Sequence, residues 1–238
     1  MLGGWAGTRA VARQHLIIDA DDTLWENNVY FDRAFDQFVD FLAHSTLTPQ
    51  QVRDVLDDIE RANARLHGYG SANYGRNLAQ CYERLAERRL ESDDLCTVMR
   101  LAERILDQPI EILEGVAGTL ESLTERHELT LFTKGNAEEQ RLKIDRSGLA
   151  GFFAHTAIVH EKDTSAYRAL VSERGMDPSR SWMIGNSPRS DINPALEAGL
   201  NAVFVPHART WTLEHEEIRP GEGRLITVNR FADLLEHF

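Results

Sequence analysis

The chain has 238 residues, 38 of them Asp or Glu against 26 Lys or Arg, for a formal net charge of −12 and a pI near 5.2. That balance excludes a protein that lives on nucleic acid or an anionic membrane, because both need a net basic face. With 42% hydrophobic and 27% charged residues, and no apolar run near the roughly 18 residues that span a bilayer, the composition is that of a globular core with a smaller lobe.

Residues 1–14 carry two arginines but lack the apolar stretch of a secretory signal, and are expected to form a loose extension of a cytoplasmic protein. The run HLIID (15–19) then reads as a buried parallel strand ending in acids. From 27 to 109 no strand signal occurs. Helical spacing recurs there four times: at Phe31, Phe35, Phe38 and Leu42; at Val52, Leu56, Ile59 and Asn63; at Tyr74, Leu78, Cys81 and Leu85; and at Leu95, Val98, Met99, Ala102 and Ile105. Thr48, Pro49 and Gln51 form a capping box for the second helix, and Ser92 is expected to cap the fourth. A parallel crossover needs one helix, so this bundle is an insertion, placed as a lid over the first strand's carboxyl end.

Beyond it, apolar runs at 129–132, 157–159, 181–184, 201–205 and 224–228 alternate with helical patterns at Val116, Leu120 and Leu123, at Ala166, Leu170 and Val171, and at Ile192, Leu196 and Ala198. The expected fold is α/β: a Rossmann-like parallel sheet with helices on both faces, made of 15–26 and 110–238, plus an inserted helical cap, 27–109. Cys81 and Cys96, without CxxC spacing, suit two packed thiols in a reducing compartment.

Chemistry gathers at the strand ends, where ligands bind in such sheets. Asp19, Asp21 and Asp22 put three carboxylates within four positions, a costly arrangement unless a cation or a shared proton holds it; magnesium, which favours oxygen ligands, is the natural partner. The plainer alternative is an acidic turn in which Asp22 and Thr23 cap the next helix. Thr133 ends the second strand, where its hydroxyl and the amides of Lys134 and Gly135 would grip a phosphate oxygen. Lys162 follows the third strand and would neutralise a phosphoryl group or hold a carboxylate ionised. The turn Gly185-Asn186-Ser187-Pro188-Arg189-Ser190-Asp191 offers an amide oxygen and a carboxylate.

These four segments, in this order and covering nearly the whole chain, resemble the four motifs of the haloacid dehalogenase superfamily. The resemblance implies a Rossmann-like core, an aspartate nucleophile, Mg²⁺ dependence and phosphatase activity on a small phosphorylated metabolite. Residue by residue it makes Asp19 the nucleophile and Asp21 the acid and base, with Thr133, Lys162 and the amides near Lys134 on the phosphoryl oxygens. It gives the metal Asp19, the Asp21 carbonyl, Asn186 and Asp191. The fourth motif usually begins Gly-Asp; Asn186 here removes one charge from the ligand set. A 2-haloacid dehalogenase, a phosphomutase and a non-catalytic phosphate-binding protein are the alternatives. Retention of Asp21 and Asp191 favours phosphoryl transfer, since an alkoxide leaving group needs an acid and a halide does not.

In the cap, Gly68-Tyr69-Gly70 reads as a glycine turn, or as a loop that dips to the core with Tyr69 or Arg76 on the leaving group. Trp25 either lines the site or packs beneath the lid. His155, His160, His207 and His215 lack zinc spacing and are assigned solvated or packing roles. Lys162 is expected to make the pocket locally attractive to phosphate despite the acidic chain.

Overall fold

A computed structural model describes residues 13–238, so positions 1–12 of the expected extension lie outside the described residues. Among the described residues six strands form one sheet: β1 (His15–Ile18), β2 (Glu128–Lys134), β3 (His155–Val159), β4 (Ser181–Gly185), β5 (Asn201–Phe204) and β6 (Leu225–Thr227). Every pairing is parallel, in the order β3-β2-β1-β4-β5-β6. The chain builds outward from β1 to β3, then crosses to β4 on the other side of β1. The carboxyl ends of β1 and β4 therefore flank the point where strand order reverses, the position at which open α/β sheets take ligands.

Side-chain alternation along β1 sends Leu16 and Ile18 to one face and Ile17 to the other. The first face is covered by α5 (Val116–Thr124), α6 (Ala137–Ser147) and the C-terminal residues Phe231, Leu234 and Phe238. The second is covered by α7 (Thr164–Arg174) and α8 (Asn193–Glu197), through Tyr167, Leu170 and Ala195. The α/β fold with helices on both faces is the one the alternating pattern predicts.

Between β1 and β2 lie α1 (Asn28–Leu42), α2 (Pro49–His67), α3 (Ser71–Leu85) and α4 (Ser92–Glu103). They enclose a separate core that includes Phe35, Phe38, Leu56, Leu78, Cys81 and Val98. Thr48 and Gln51 make both hydrogen bonds of the capping box. Three expectations fail here. Ser92 is the first residue of α4 rather than its cap, and Glu91 before it makes no side-chain cap bond. Met99 is 38% exposed, so it lies off the apolar stripe. Cys96 is exposed and only Cys81 is packed.

Candidate active site

The chain leaves β1 through a turn in which the Ala20 carbonyl accepts from the amides of Thr23 and Leu24. Asp22, at φ 59°, takes the left-handed conformation that short polar residues tolerate. This turn sends the three carboxylates to different partners. Asp19 is buried, with one oxygen receiving the Lys162 ammonium at 2.5 Å and the other the Thr23 hydroxyl at 2.9 Å. Asp21 receives the Lys143 ammonium at 2.6 and 2.7 Å, the Trp25 indole at 2.8 Å and the Gln140 amide at 3.2 Å. Asp22 accepts the amides of Asn27 and Asn28 and so closes the start of α1, the capping role considered for it; Thr23, considered with it, instead gives its hydroxyl to Asp19 and Asn186. Repulsion within the cluster is thus relieved by two lysines and a helix start.

Burial dominates the acid chemistry. It pushes the Asp19 carboxyl up to about 7, against the pull of Lys162 and with a further push from Asp191. It pushes Asp22 to about 7 as well, against the two amides it binds. Burial would discharge Lys162, but Asp19 and Asp191, the latter at 2.7 Å, outweigh it and hold the ammonium above its ordinary value.

Asp191 is fully buried, its second oxygen accepting the Ser187 amide at 2.9 Å. Gly185 makes that position possible: a Cβ there would sit 2.2 Å from Asp191 Oδ2. Asn186 accepts from the Thr23 hydroxyl at 3.3 Å and donates to Thr210 at 2.9 Å. Its amide oxygen therefore lies beside the Asp19 carboxylate through a shared hydroxyl.

A cavity of about 180 Å³ collects these groups. Asp19, Asp21, Thr133, Lys134, Gly135, Lys162, Asn186, Asp191 and Tyr69 all line it. Two predicted substrate contacts do not. Arg76 is exposed, donates to Asn73 and lies outside the lining, because its helix turns that position to solvent. Trp25 is buried beneath the turn and acts by fixing Asp21. Gly135 contributes surface only, since its amide is taken by the Val159 carbonyl at 3.0 Å. The Lys134 ammonium is also committed, to Glu161, Ser190 and Glu214.

Several lining residues carried no motif. Gln140 donates to the Thr133 hydroxyl, and with Lys143 it comes from α6, whose Asn136 cap, acidic first turn and Gly148 stop were the available signal. Buried Glu214 receives Lys134 and the hydroxyls of Ser187 and Ser190; together these overcome desolvation and hold its acid at about 2. Among the described residues the lining has seven carboxylates and four cationic side chains, three formal negative charges in excess, although burial pushes Asp19 and Asp22 to about 7. The expected attraction for phosphate is therefore not supplied by the protein groups alone. The oxygen donors of Asp19 and Asn186, side by side within this excess charge, fit a hard divalent cation.

The cap closes the cavity. Ser71 gives its amide and hydroxyl to Glu139 of α6, Tyr69 gives its hydroxyl to Glu161, and the Trp211 indole binds Glu60 of α2.

A parallel sheet whose central strand ends in a buried, lysine-held aspartate beneath an inserted helical lid defines a Rossmann-like hydrolase. A family model of haloacid dehalogenase-like hydrolases matches residues 14–199, and the chain belongs to that family. Among solved structures it is similar to a haloacid dehalogenase-like family hydrolase from Xanthomonas campestris, with 30% identity, 95% of this chain and 90% of that one covered, and a TM-score of 0.82. A 2-haloacid dehalogenase from Pseudomonas syringae shares the fold at 22% identity, over 94% of this chain and 97% of that one, with a TM-score of 0.61. A phosphoserine phosphatase from Thermus thermophilus is 29% identical over 115 residues, 46% of this chain and 43% of that protein's length. The chain thus spans less than half of that curated relative. Among the described residues, no helix is long and apolar enough to cross a membrane.

Proposed function

We propose that this hydrolase is a Mg²⁺-dependent phosphatase acting on a small phosphorylated metabolite through an aspartyl phosphate at Asp19. The observation that carries the reading is the pairing of two acids in different settings at one cavity. Asp19 is buried against Lys162 and Thr23, and Asp21, two residues on, faces the same space among Lys143, Trp25 and Gln140. Halide displacement has no use for the second acid; expulsion of an alkoxide does.

In this reading an Asp19 oxygen forms a bond to phosphorus as the bond to the leaving oxygen breaks, and Asp21, which must enter this step protonated, delivers its proton to that oxygen. Asp21 then takes a proton from water as the water oxygen attacks the aspartyl phosphate, returning Asp19 and inorganic phosphate. Thr133 and Lys162 hold phosphoryl oxygens, and Gln140 fixes the Thr133 hydroxyl at 2.5 Å. Mg²⁺ held by Asp19, Asn186 and the Asp21 carbonyl, with Asp191 behind them, would supply the positive charge that the lining lacks. The partial relationship to a phosphoserine phosphatase supports phosphate-ester chemistry over dehalogenation.

The test is phosphate release from p-nitrophenyl phosphate and a panel of metabolite phosphates with Mg²⁺, alongside chloride release from 2-chloropropionate without it. Phosphate release that D19N loses by about a thousandfold or more supports the reading; chloride release alone overturns it.

A further inference from the structure

The cavity has a second end, walled by the cap, which the phosphoryl chemistry leaves unused. Phe31, Arg53, Glu60, Tyr74 and Asn77 line it, and Glu60 is the buried one of its two charged groups, at 5% exposure. Its Oε2 accepts the Trp211 indole at 3.2 Å, and among the described residues no hydrogen bond reaches Oε1. Among the described residues, no Lys, Arg or His nitrogen lies within 4 Å of it. Arg53, on the same helix, is laid over the Phe35 ring at 3.5 Å and paired with Asp32 at 3.4 Å; from that distance its charge pulls the Glu60 acid down but does not offset the burial that pushes it up to about 7. A buried carboxylate with an unused oxygen on a cavity wall is expensive unless a cation meets it.

We infer that Glu60 is the specificity-determining residue of the cap and that it receives a cationic amine on the leaving group. The substrate class is then a phosphomonoester of an amino-bearing alcohol. This rests on the phosphatase reading, with the phosphoryl group at Asp19 and the leaving group turned toward the cap. Trp211 aims the carboxylate by holding Oε2, and Tyr69 packs edge-on against Trp211 with ring centroids 6.1 Å apart. The ammonium would thus meet a preset acceptor that gives a charge-assisted hydrogen bond.

The experiment measures binding of 2-aminoethylphosphonate and of ethylphosphonate to the full chain with Mg²⁺ by calorimetry, in wild type and Glu60→Gln. Neither probe can be hydrolysed at an ester bond, so the result does not depend on turnover. The expected result is roughly tenfold tighter binding of the amino compound in wild type, with the preference reduced to near unity in Glu60→Gln. Equal affinities in wild type, or a preference that survives in Glu60→Gln, would overturn the assignment. The latter outcome would mean that Glu60 acts as a neutral hydrogen-bonding group. A clear preference with no phosphate release from p-nitrophenyl phosphate or from a panel of metabolite phosphates that includes amino-alcohol phosphates would leave the subsite standing and refute the phosphatase reading, so the two fail separately.

Discussion

Gly185 and Asp191 occupy one space between them, because the carboxylate lies where a glycine side chain would begin. Gly185→Ala is therefore expected to displace Asp191, remove one of the two anions that hold Lys162 and loosen Asp19 in turn. The substitution should lower Tm and reduce kcat by about tenfold or more, read by thermal unfolding and steady-state kinetics. Glu214 makes a prediction about pH. Its acid falls from an ordinary 4.5 to about 2 on folding, so its stabilising effect is fully present above the unfolded value and is lost as pH falls toward about 2. Urea unfolding should show wild type and Glu214→Gln separated by a constant margin above about pH 5.5, a margin that narrows steadily below it. Asp19, Thr133, Lys162, Asn186 and Asp191 were legible because each stands at the end of a strand, follows directly on one or lies in a strand-end turn. Lys143, Gln140 and Glu214 were not, because each reaches the site from a helix or loop whose approach depends on tertiary packing.

The strands were legible to within one or two residues, since buried parallel strands read as short apolar runs. Helix α6 was not. It buries only Gln140 and Ile144 and leaves Leu142 exposed, so it has almost no apolar stripe and shows itself only by its caps. Yet α6 connects lid and catalytic turn: Lys143 reaches Asp21 and Asn27, and Glu139 holds Ser71 of the cap. Glu139→Ala removes the three bonds to Ser71 and should free the lid without touching Asp19. The expected outcome is a KM raised severalfold with a smaller change in kcat, accompanied by a larger radius of gyration in solution scattering. The helix after the fourth motif carries a related lesson. Ser187 caps its own turn through Ser190 while donating its amide to Asp191, so one short π-type turn both starts the helix and orients an acid.

Across the whole molecule, the charge of −12 is not confined to the exterior. Among the described residues the cavity lining keeps three formal negative charges in excess, contrary to the expectation from Lys162 alone; counting cations by motif missed Glu60, Glu139 and Glu214, which folding brings in from the cap, α6 and the segment after β5. A divalent cation bound only by the native state must stabilise it. Millimolar Mg²⁺ should accordingly raise Tm by a few degrees in wild type, and the increment should vanish in Asp19→Asn. An increment of the same size in Asp19→Asn would place the cation elsewhere. The insertion of the cap between β1 and β2 was legible from the long strandless stretch, whereas its closed position was not, because the contacts that close it are single polar pairs between distant segments.

The central claim is that Asp19 becomes phosphorylated during turnover. Acid-quenched reaction with a ³²P-labelled phosphomonoester and Mg²⁺, followed by peptide mapping, tests it most directly. Label is expected on the peptide that holds Asp19 and none in Asp19→Asn. Phosphate release with no labelled peptide under conditions that trap acyl phosphates, or label on a different residue, would contradict it.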